Sequence, residues 1–278
     1  MNIKKWLYQA TITLHKKSNT PKLDAEIILK FITRKSITWL KGFDDYLLSV
    51  KQVNQLNILL NRRALGEPIA YLIGEREFWS LPISVSNITL IPRPETEILV
   101  EQALLLLAKK NSRILDLGTG TGAISLAIAH ERPDCTILGV DYKKQAVLLA
   151  KYNAQKIGVS NVSFIYSNWF SALKGHLFHM IVSNPPYIDA NDEHLKQGDI
   201  RFEPNYALIS AEQGLADLKI IISHSIKYLE TNGWLLVEHG YQQGAKVRQL
   251  MKKNNFHYIK THKDYNHHER ITFGQKNN

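Results

Sequence analysis

Cysteine is almost missing from these 278 residues, and Cys135 stands alone. One thiol can neither close an internal disulfide nor build a thiolate metal cluster, so a reducing compartment, the cytoplasm, is the expected setting. Long hydrophobic runs are also lacking. The longest, residues 103–108, falls far short of the roughly 20 apolar residues that a bilayer span needs. Near the start, Lys4, Lys5, Gln9, His15, Lys16 and Lys17 interrupt every apolar stretch, so neither a secretory leader nor a membrane helix is expected. What is present is an ordinary globular balance, 44% hydrophobic and 22% charged, in a length that at roughly 150 residues per domain suggests two domains. Charge is unevenly spread. Residues 1–63 hold 12 Lys and Arg against 4 Asp and Glu, a balance of +8, whereas residues 64–278 hold 23 against 21, a balance of +2. Such a basic segment either meets an anionic partner or is a solvated helical surface.

That segment reads as helical. Trp6, Leu7, Ala10 and Leu14 share one face, Ala25, Ile28, Leu29 and Ile32 another, and Val53, Leu56, Leu59 and Leu60 a third that ends near Gly66. Thr20-Pro21 supplies a helix start. Residues 1–66 are therefore expected to form a small helical domain. Residues 67–92 are expected to be a β-hairpin linker, with strands over 77–85 and 89–91 punctuated by Gly74, Pro82 and Asn87. Residues 93–278 then open on a Pro94 helix and alternate short β-branched runs with amphipathic helices, which predicts an α/β domain with a parallel sheet. The strand candidates are 113–117, 136–140, 162–166, 180–183 and 234–237, and the helices are 123–131, 143–157, 215–229 and 243–253. Two closing runs, 257–262 and 270–273, should pair as an antiparallel hairpin at the sheet edge, giving seven strands with one reversed.

Asp116-Leu117-Gly118-Thr119-Gly120-Thr121-Gly122 follows the first of these strands, where glycines let the backbone turn tightly and approach a ligand. Asp141 ends the next strand, about 20 residues on, where a carboxylate accepts from ribose hydroxyls. A nucleoside-containing cofactor is indicated. Gly118, Gly120 and Ala123 also satisfy the dinucleotide pattern, so the turn alone leaves nicotinamide and flavin open, and Asp141 alone is also compatible with a helix N-cap. Asn168-Trp169 follows the third strand and offers an amide and a ring at the same sheet edge.

Asn184-Pro185-Pro186-Tyr187 ends the fourth strand, again at the carboxyl edge of the sheet. Two prolines make a stiff stretch with acceptors and no donors of its own, which suits an amide or aryl NH₂ substrate. Its hydrogens can be held by the Asn184 side-chain oxygen and the Pro185 carbonyl while Tyr187 stacks on the planar group. The nitrogen then faces a methyl donor in line, rate comes mainly from orientation, and no general base is required. A nicotinamide oxidoreductase has no use for such a tetrapeptide.

Together these motifs resemble class I S-adenosylmethionine methyltransferases, with a Rossmann-like seven-stranded sheet whose last strand is antiparallel. Adding Gly74-Glu75-Arg76-Glu77-Phe78-Trp79-Ser80, Ile91-Pro92-Arg93-Pro94-Glu95-Thr96-Glu97 and Arg201-Phe202-Glu203-Pro204, the chain is similar to the HemK family of peptide chain release factor glutamine methyltransferases. The resemblance runs from Asp24-Ala25-Glu26 to Glu269-Arg270. It implies transfer of a methyl group from S-adenosylmethionine to the side-chain amide nitrogen of the glutamine in the Gly-Gly-Gln motif of class 1 release factors. It also implies cofactor contacts at Asp116, Gly118, Thr119, Gly120, Thr121, Gly122, Asp141, Asn168, Trp169 and Asn184. Asn184, Pro185 and Tyr187 would carry catalysis, and these with Pro186 would hold the glutamine. Asn168 stands where the family more often has Asp, so an adenine amine would meet a neutral acceptor.

Release factors are accordingly the expected partner, with no stable nucleic acid, no membrane and no metal, since His257, His262, His267 and His268 read as scattered surface residues. A nucleic-acid amino methyltransferase, which would use the basic segment for phosphate contacts, and a ribosomal-protein glutamine methyltransferase are the alternatives. The N-terminal helices are expected to choose the substrate, because a pocket that grips one amide cannot select a single glutamine. The stretch 188–213 has the length of a functional lid.

Overall fold

The computed structural model describes residues 1–277, so the last residue of the expected 93–278 domain lies outside the described residues. It clusters into two compact units, one of Met1–Glu75 joined by Lys196–Phe202, the other of Arg76–Leu195 with the rest of the described chain.

The first unit is built from α1 (Ile3–Leu14), α2 (Pro21–Thr33), α3 (Ile37–Gly42), α4 (Val50–Ala64) and α5 (Ile69–Ile73). Each start has a local cause. Asn2 accepts from Lys5 N, Pro21 occupies the first turn of α2, Ser36 accepts from Trp39 N, and Ser49 and Gln52 form a reciprocal capping box on α4. Trp6, Leu14, Ile28, Leu29, Leu56 and Leu60 are buried together, so the apolar faces read from the sequence form one core. Residues 69–73, expected within the linker, are instead a helical turn whose Leu72 joins that core.

Arg63 is the unit's buried cation. Its Nε donates to Asp24 Oδ2 at 2.6 Å, and Nη1 donates to Asp199 Oδ1 and to the Glu67 carbonyl, both at 2.9 Å. Residues 196–202 are thus held to α2 and α4 by one guanidinium. Removing one partner of a buried ion pair strands the other's charge, at a cost of about 3–5 kcal/mol. Arg63→Ala is therefore expected to lower the urea midpoint sharply when unfolding is followed by far-ultraviolet circular dichroism, whereas removal of the exposed Lys4–Asp44 pair should leave it nearly unchanged.

The second unit begins within β1 (Glu75–Phe78), which forms the hairpin with β2 (Leu81–Ser84). Its turn lies on Trp79-Ser80, both at positive φ (53° and 58°), inside the strand expected over 77–85 and not at Asn87 between the two expected strands, and residues 89–91 form no strand. Trp79 holds this strained turn by donating its N–H to Glu97 and its indole to Glu131, both at 2.8 Å.

The main sheet follows from α6 (Glu97–Leu106), β3 (Arg113–Leu117), α7 (Ala123–Glu131), β4 (Thr136–Asp141), α8 (Lys144–Ile157), β5 (Val162–Tyr166) and β6 (Phe178–Ser183). It continues through the kinked turn α9 (Ala211–Gly214), α10 (Ala216–Ser225), β7 (Leu229–Glu238), α11 (Gly244–Lys253), β8 (Phe256–Lys263) and β9 (Glu269–Lys276). The spatial order is β5-β4-β3-β6-β7-β9-β8, and only β9 runs against the rest. The expected reversed strand is therefore the last one, inserted between β7 and β8. Leu115, Ile181 and Leu235 of adjacent strands pack with Leu218, Ile221, Val247 and Met251 of α10 and α11. β7 begins at Leu229, inside the helix expected over 215–229, because Leu229 pairs with Phe178 before a register shift at Thr231-Asn232-Gly233, a run that reads locally as a turn. Strand order reverses between β3 and β6, the point where open α/β sheets bind ligands. Leu117 pairs with Ser183 there, and the Ser183 hydroxyl donates to the Leu117 carbonyl at 2.8 Å, so the residues that follow each strand emerge side by side. Among the described residues no helix is long and apolar enough to cross a membrane.

Candidate active site

The glycine turn is held by the two acids nominated with it. Gly118 and Thr119 donate their N–H groups to the Val140 carbonyl at 2.9 Å, and Gly120 donates to Asp141 Oδ2 at 3.0 Å. Gly120 has φ +55° and nothing within 4 Å of where a Cβ would stand, so its backbone is open to the pocket. Gly122 is different. A Cβ there would meet Ala150 and Phe164 at 3.1 Å, so this glycine serves packing.

Asp116 is fully buried beneath the turn, where its Oδ2 accepts from the Thr119 and Ser125 hydroxyls, each at 2.7 Å, while Oδ1 has no hydrogen-bond partner among the described residues. Burial pushes its carboxyl up to about 6, against the two hydroxyl bonds. A carboxyl raised in the fold favours folding while protonated. Its contribution is fully present below about pH 4 and is lost as the pH rises through about 6. Asp116→Asn is thus expected to match the parent near pH 4 and to exceed it in stability by on the order of 2 kcal/mol above pH 7, as read by urea unfolding at both values. Equal stability difference at the two values would contradict this.

A pocket of about 370 Å³ lies over the turn. Thr119, Thr121, Asp141, Asn168, Trp169 and Asn184 line it, with Gly118, Gly120 and Pro186. Of the nominated residues, Asp116, Gly122, Pro185 and Tyr187 stand behind this lining. Asp141 Oδ1 also accepts from Lys143 N at 2.8 Å, so the helix-start role exists alongside the link to Gly120. Burial raises its carboxyl above the usual range, opposed by these N–H groups. Trp169, at φ +47°, brings its ring to about 3.5 Å from the Cβ position of Gly118. Asn168 is exposed, and its N–H donates to Ser171 Oγ at 3.1 Å. Asn153, which the sequence reading passed over, is fully buried in α8. Its amide nitrogen donates to the Thr121 and Ser84 carbonyls and its oxygen accepts from Ser84 N, fastening the turn to β2.

At the tetrapeptide, Asn184 Nδ2 donates to Thr96 Oγ1 at 3.1 Å, and the Thr96 hydroxyl donates to Glu238 Oε2 at 2.7 Å. Tyr187 OH donates to the other oxygen, Oε1, at 3.0 Å. No donor among the described residues reaches Asn184 Oδ1. The Tyr187 hydroxyl is held far above its ordinary range by burial and then by the Glu238 charge, so it stays protonated. Gln243 donates to the Tyr187 carbonyl at 3.0 Å, and a Cβ on Gly214 (φ +79°) would lie only 2.0 Å from that carbonyl oxygen. Only glycine allows that approach. Thr96 and Glu238 were not singled out in the sequence. The available signal was an acid ending the strand next to the one that carries the tetrapeptide.

Arg93 lines the pocket and pairs with Glu203, whose other oxygen accepts from Ile91 N at 2.9 Å. Tyr206 donates to the Ile88 carbonyl and meets Tyr142 edge-on at 5.8 Å, with Lys143 Nζ 4.4 Å from its ring centre. Part of the 188–213 stretch thereby closes one side of the pocket. Glu97, by contrast, belongs to the hairpin turn through Trp79. No cluster of three or more His, Cys, Asp or Glu side chains suited to a metal occurs among the described residues.

Residues 108–276 match the family model "Methyltransferase domain", and residues 5–74 match "PrmC N-terminal domain". Curated relatives named release factor glutamine methyltransferase include those of Escherichia coli, 52% identical over 275 residues, and Haemophilus influenzae, 50% identical over 290 residues. Each alignment covers 99% of both chains. Among solved structures, a methyltransferase from Pyrococcus furiosus is similar in fold, with TM-score 0.55, 16% identity and coverage of 71% of this chain and 90% of that one. The hMettl16 catalytic domain is similar at TM-score 0.58 and 15% identity, covering 78% and 80%.

Proposed function

We propose, for a chain that belongs to the family of release factor glutamine methyltransferases, that the Asn184 end of the pocket is its reacting centre. The enzyme uses S-adenosylmethionine to methylate a glutamine of a release factor. The residues present fit this cofactor. The backbone of Gly120 is open to close approach, a buried carboxylate of Asp141 faces the pocket with lone pairs to spare, and the Trp169 ring supplies an apolar wall. When bound, S-adenosylmethionine supplies an electrophilic methyl group.

The chain's own contribution is orientation. A primary amide presents two N–H donors; Asn184 Oδ1 offers an acceptor from the pocket lining, and the carbonyl of Pro185, which stands behind that lining, is the second acceptor of a stretch that the prolines hold stiff. Holding both hydrogens fixes the nitrogen and draws electron density onto it. Tyr187, its hydroxyl committed to Glu238 and its carbonyl to Gln243, keeps the tetrapeptide in one conformation. Restricting a reactant to one geometry lowers a barrier by several kcal/mol. The observation that carries this reading is that Asn184 spends its amide nitrogen on the hydroxyl of Thr96, its neighbour in the pocket lining, and so leaves its oxygen without a donor among the described residues and available to substrate.

The specific acceptor is the glutamine of the Gly-Gly-Gln motif of class 1 release factors, and the cytoplasm, where translation terminates, is the compartment. The helical unit is the recognition element. Its +8 balance over residues 1–63 suits an acidic face on the release factor, and that attraction is weakened by salt. The test supplies methyl-labelled S-adenosylmethionine to release factor, to its Gly-Gly-Ala variant, to ribosomal protein and to RNA, over a salt series. Label should enter only the intact release factor, with KM rising with salt while methylation of a short Gly-Gly-Gln peptide barely responds. Label in RNA or ribosomal protein, or a salt-independent KM, would contradict these assignments respectively.

A further inference from the structure

We infer that Glu238, acting through Thr96, determines which end of the Asn184 side-chain amide faces the pocket, and that both are positioning residues for methyl transfer. The inference rests on the reading that Asn184 Oδ1 accepts a hydrogen from the substrate amide. An asparagine amide has two orientations of nearly equal shape and opposite chemistry, related by a half-turn. With oxygen outward it holds a substrate NH₂. With nitrogen outward it sets two NH₂ groups against each other, and the substrate nitrogen is repelled.

Nothing in the shape of Asn184 selects between the two, but the hydrogen-bond chain does. An ionised carboxylate only accepts, and Glu238 is fully enclosed at the end of β7 with both oxygens taken, Oε1 by Tyr187 OH at 3.0 Å and Oε2 by Thr96 Oγ1 at 2.7 Å; burial pushes its carboxyl above the ordinary range, and these two hydrogen bonds oppose burial by favouring the charged form. Thr96 has one hydroxyl hydrogen, and Glu238 receives it. The oxygen of Thr96 is then left with lone pairs alone toward Asn184, so only the NH₂ end can face it, as it does at 3.1 Å. Oδ1 is thereby directed outward. The placement of Thr96 supports this use. It immediately precedes α6, where a hydroxyl oxygen commonly accepts from a backbone N–H, yet it makes no cap hydrogen bond, so its oxygen is left to accept from Asn184 while its hydrogen goes to Glu238. Glu238 acts without touching Asn184, and its influence depends on the direction of one O–H bond.

The test uses the full-length enzyme with three substitutions. Glu238→Gln keeps the shape but gives one of the two hydroxyls a donor to face. Thr96→Val keeps the volume and removes the relay, and Thr96→Ser restores it. Glu238→Gln and Thr96→Val should each lower single-turnover rate at saturating release factor by about tenfold or more, with S-adenosylmethionine affinity by calorimetry within twofold of the parent. Thr96→Ser should recover most of the rate. The double substitution should be no slower than the slower single one, because both break the same chain. In spectra of enzyme labelled at asparagine side-chain nitrogen, the Asn184 NH₂ signal, assigned by its loss in Asn184→Ala, should shift or broaden in Thr96→Val and stay in place in Thr96→Ser. Should Thr96→Val fail to fold, Glu238→Gln and Thr96→Ser carry the same comparison. Parent-like rates in Glu238→Gln and Thr96→Val, or fully additive losses, would overturn the inference while leaving the role of Asn184 intact. A parent-like rate in Asn184→Ala would instead remove the reading on which it rests.

Discussion

Asn184→Ala is expected to lower kcat/KM for release factor by roughly a hundredfold to a thousandfold, the size of effect seen when one preorganised hydrogen-bonding group is removed from a reacting centre. The loss should fall on kcat, because the interaction serves the nitrogen in the reacting geometry more than binding of the whole protein. Folding should survive, and cofactor affinity should fall far less than the rate, since Asn184 is one of many groups that line the cofactor pocket. Asn184 lies after β6 and outside the Gly118–Gly122 turn, and among the described residues its side chain hydrogen-bonds Thr96. Single-turnover methylation with calorimetry on the same preparation separates the two. A near-parental rate would show that the tetrapeptide holds substrate by some other group, and an equal loss of cofactor binding would show that the substitution had collapsed the pocket.

Asp141→Ala should have its largest effect on S-adenosylmethionine binding, weakening it by about a hundredfold or more. Each hydrogen bond to a charged group contributes roughly 1.5–3 kcal/mol, and this carboxylate can serve two ribose hydroxyls. A second cause adds to the first. Asp141 also accepts from Gly120 N, so its loss frees the turn that must lie against the ligand. Calorimetry of the variant measures the sum. Unchanged affinity would remove Asp141 from the cofactor site, and NAD binding by the parent as tight as that of S-adenosylmethionine would challenge the pocket assignment itself.

Which parts of this site were legible in the chain follows from the range of the forces involved. The Gly118–Gly122 turn and the Asn184–Tyr187 stretch announce themselves because their chemistry is local. A left-handed backbone favours glycine, and a donor-free stretch needs proline. Strand positions in β3, β4 and β6 were readable for a similar reason, since strands buried on both faces are largely continuous apolar runs. Trp79-Ser80 escaped the reading because nothing local favours positive φ at a tryptophan. Glu97 and Glu131, 18 and 52 residues away, hold it there. Leu229 read as helix because its pairing with Phe178 is a long-range contact.

The amino-acid sequence alone determined the alternation that makes a parallel sheet, the helical character of the first 66 residues and the two loops that carry the chemistry, all consequences of backbone preference and hydrophobic period. Only the tertiary structure decided that Lys196–Phe202 packs with the helices, through Asp199 on Arg63, and that Thr96 and Glu238, 142 residues apart, orient Asn184. A buried carboxylate must find its donors in three dimensions, and which donors reach it is set by the register of β7 beside β6 and by where α6 begins, neither of which any short stretch of sequence contains.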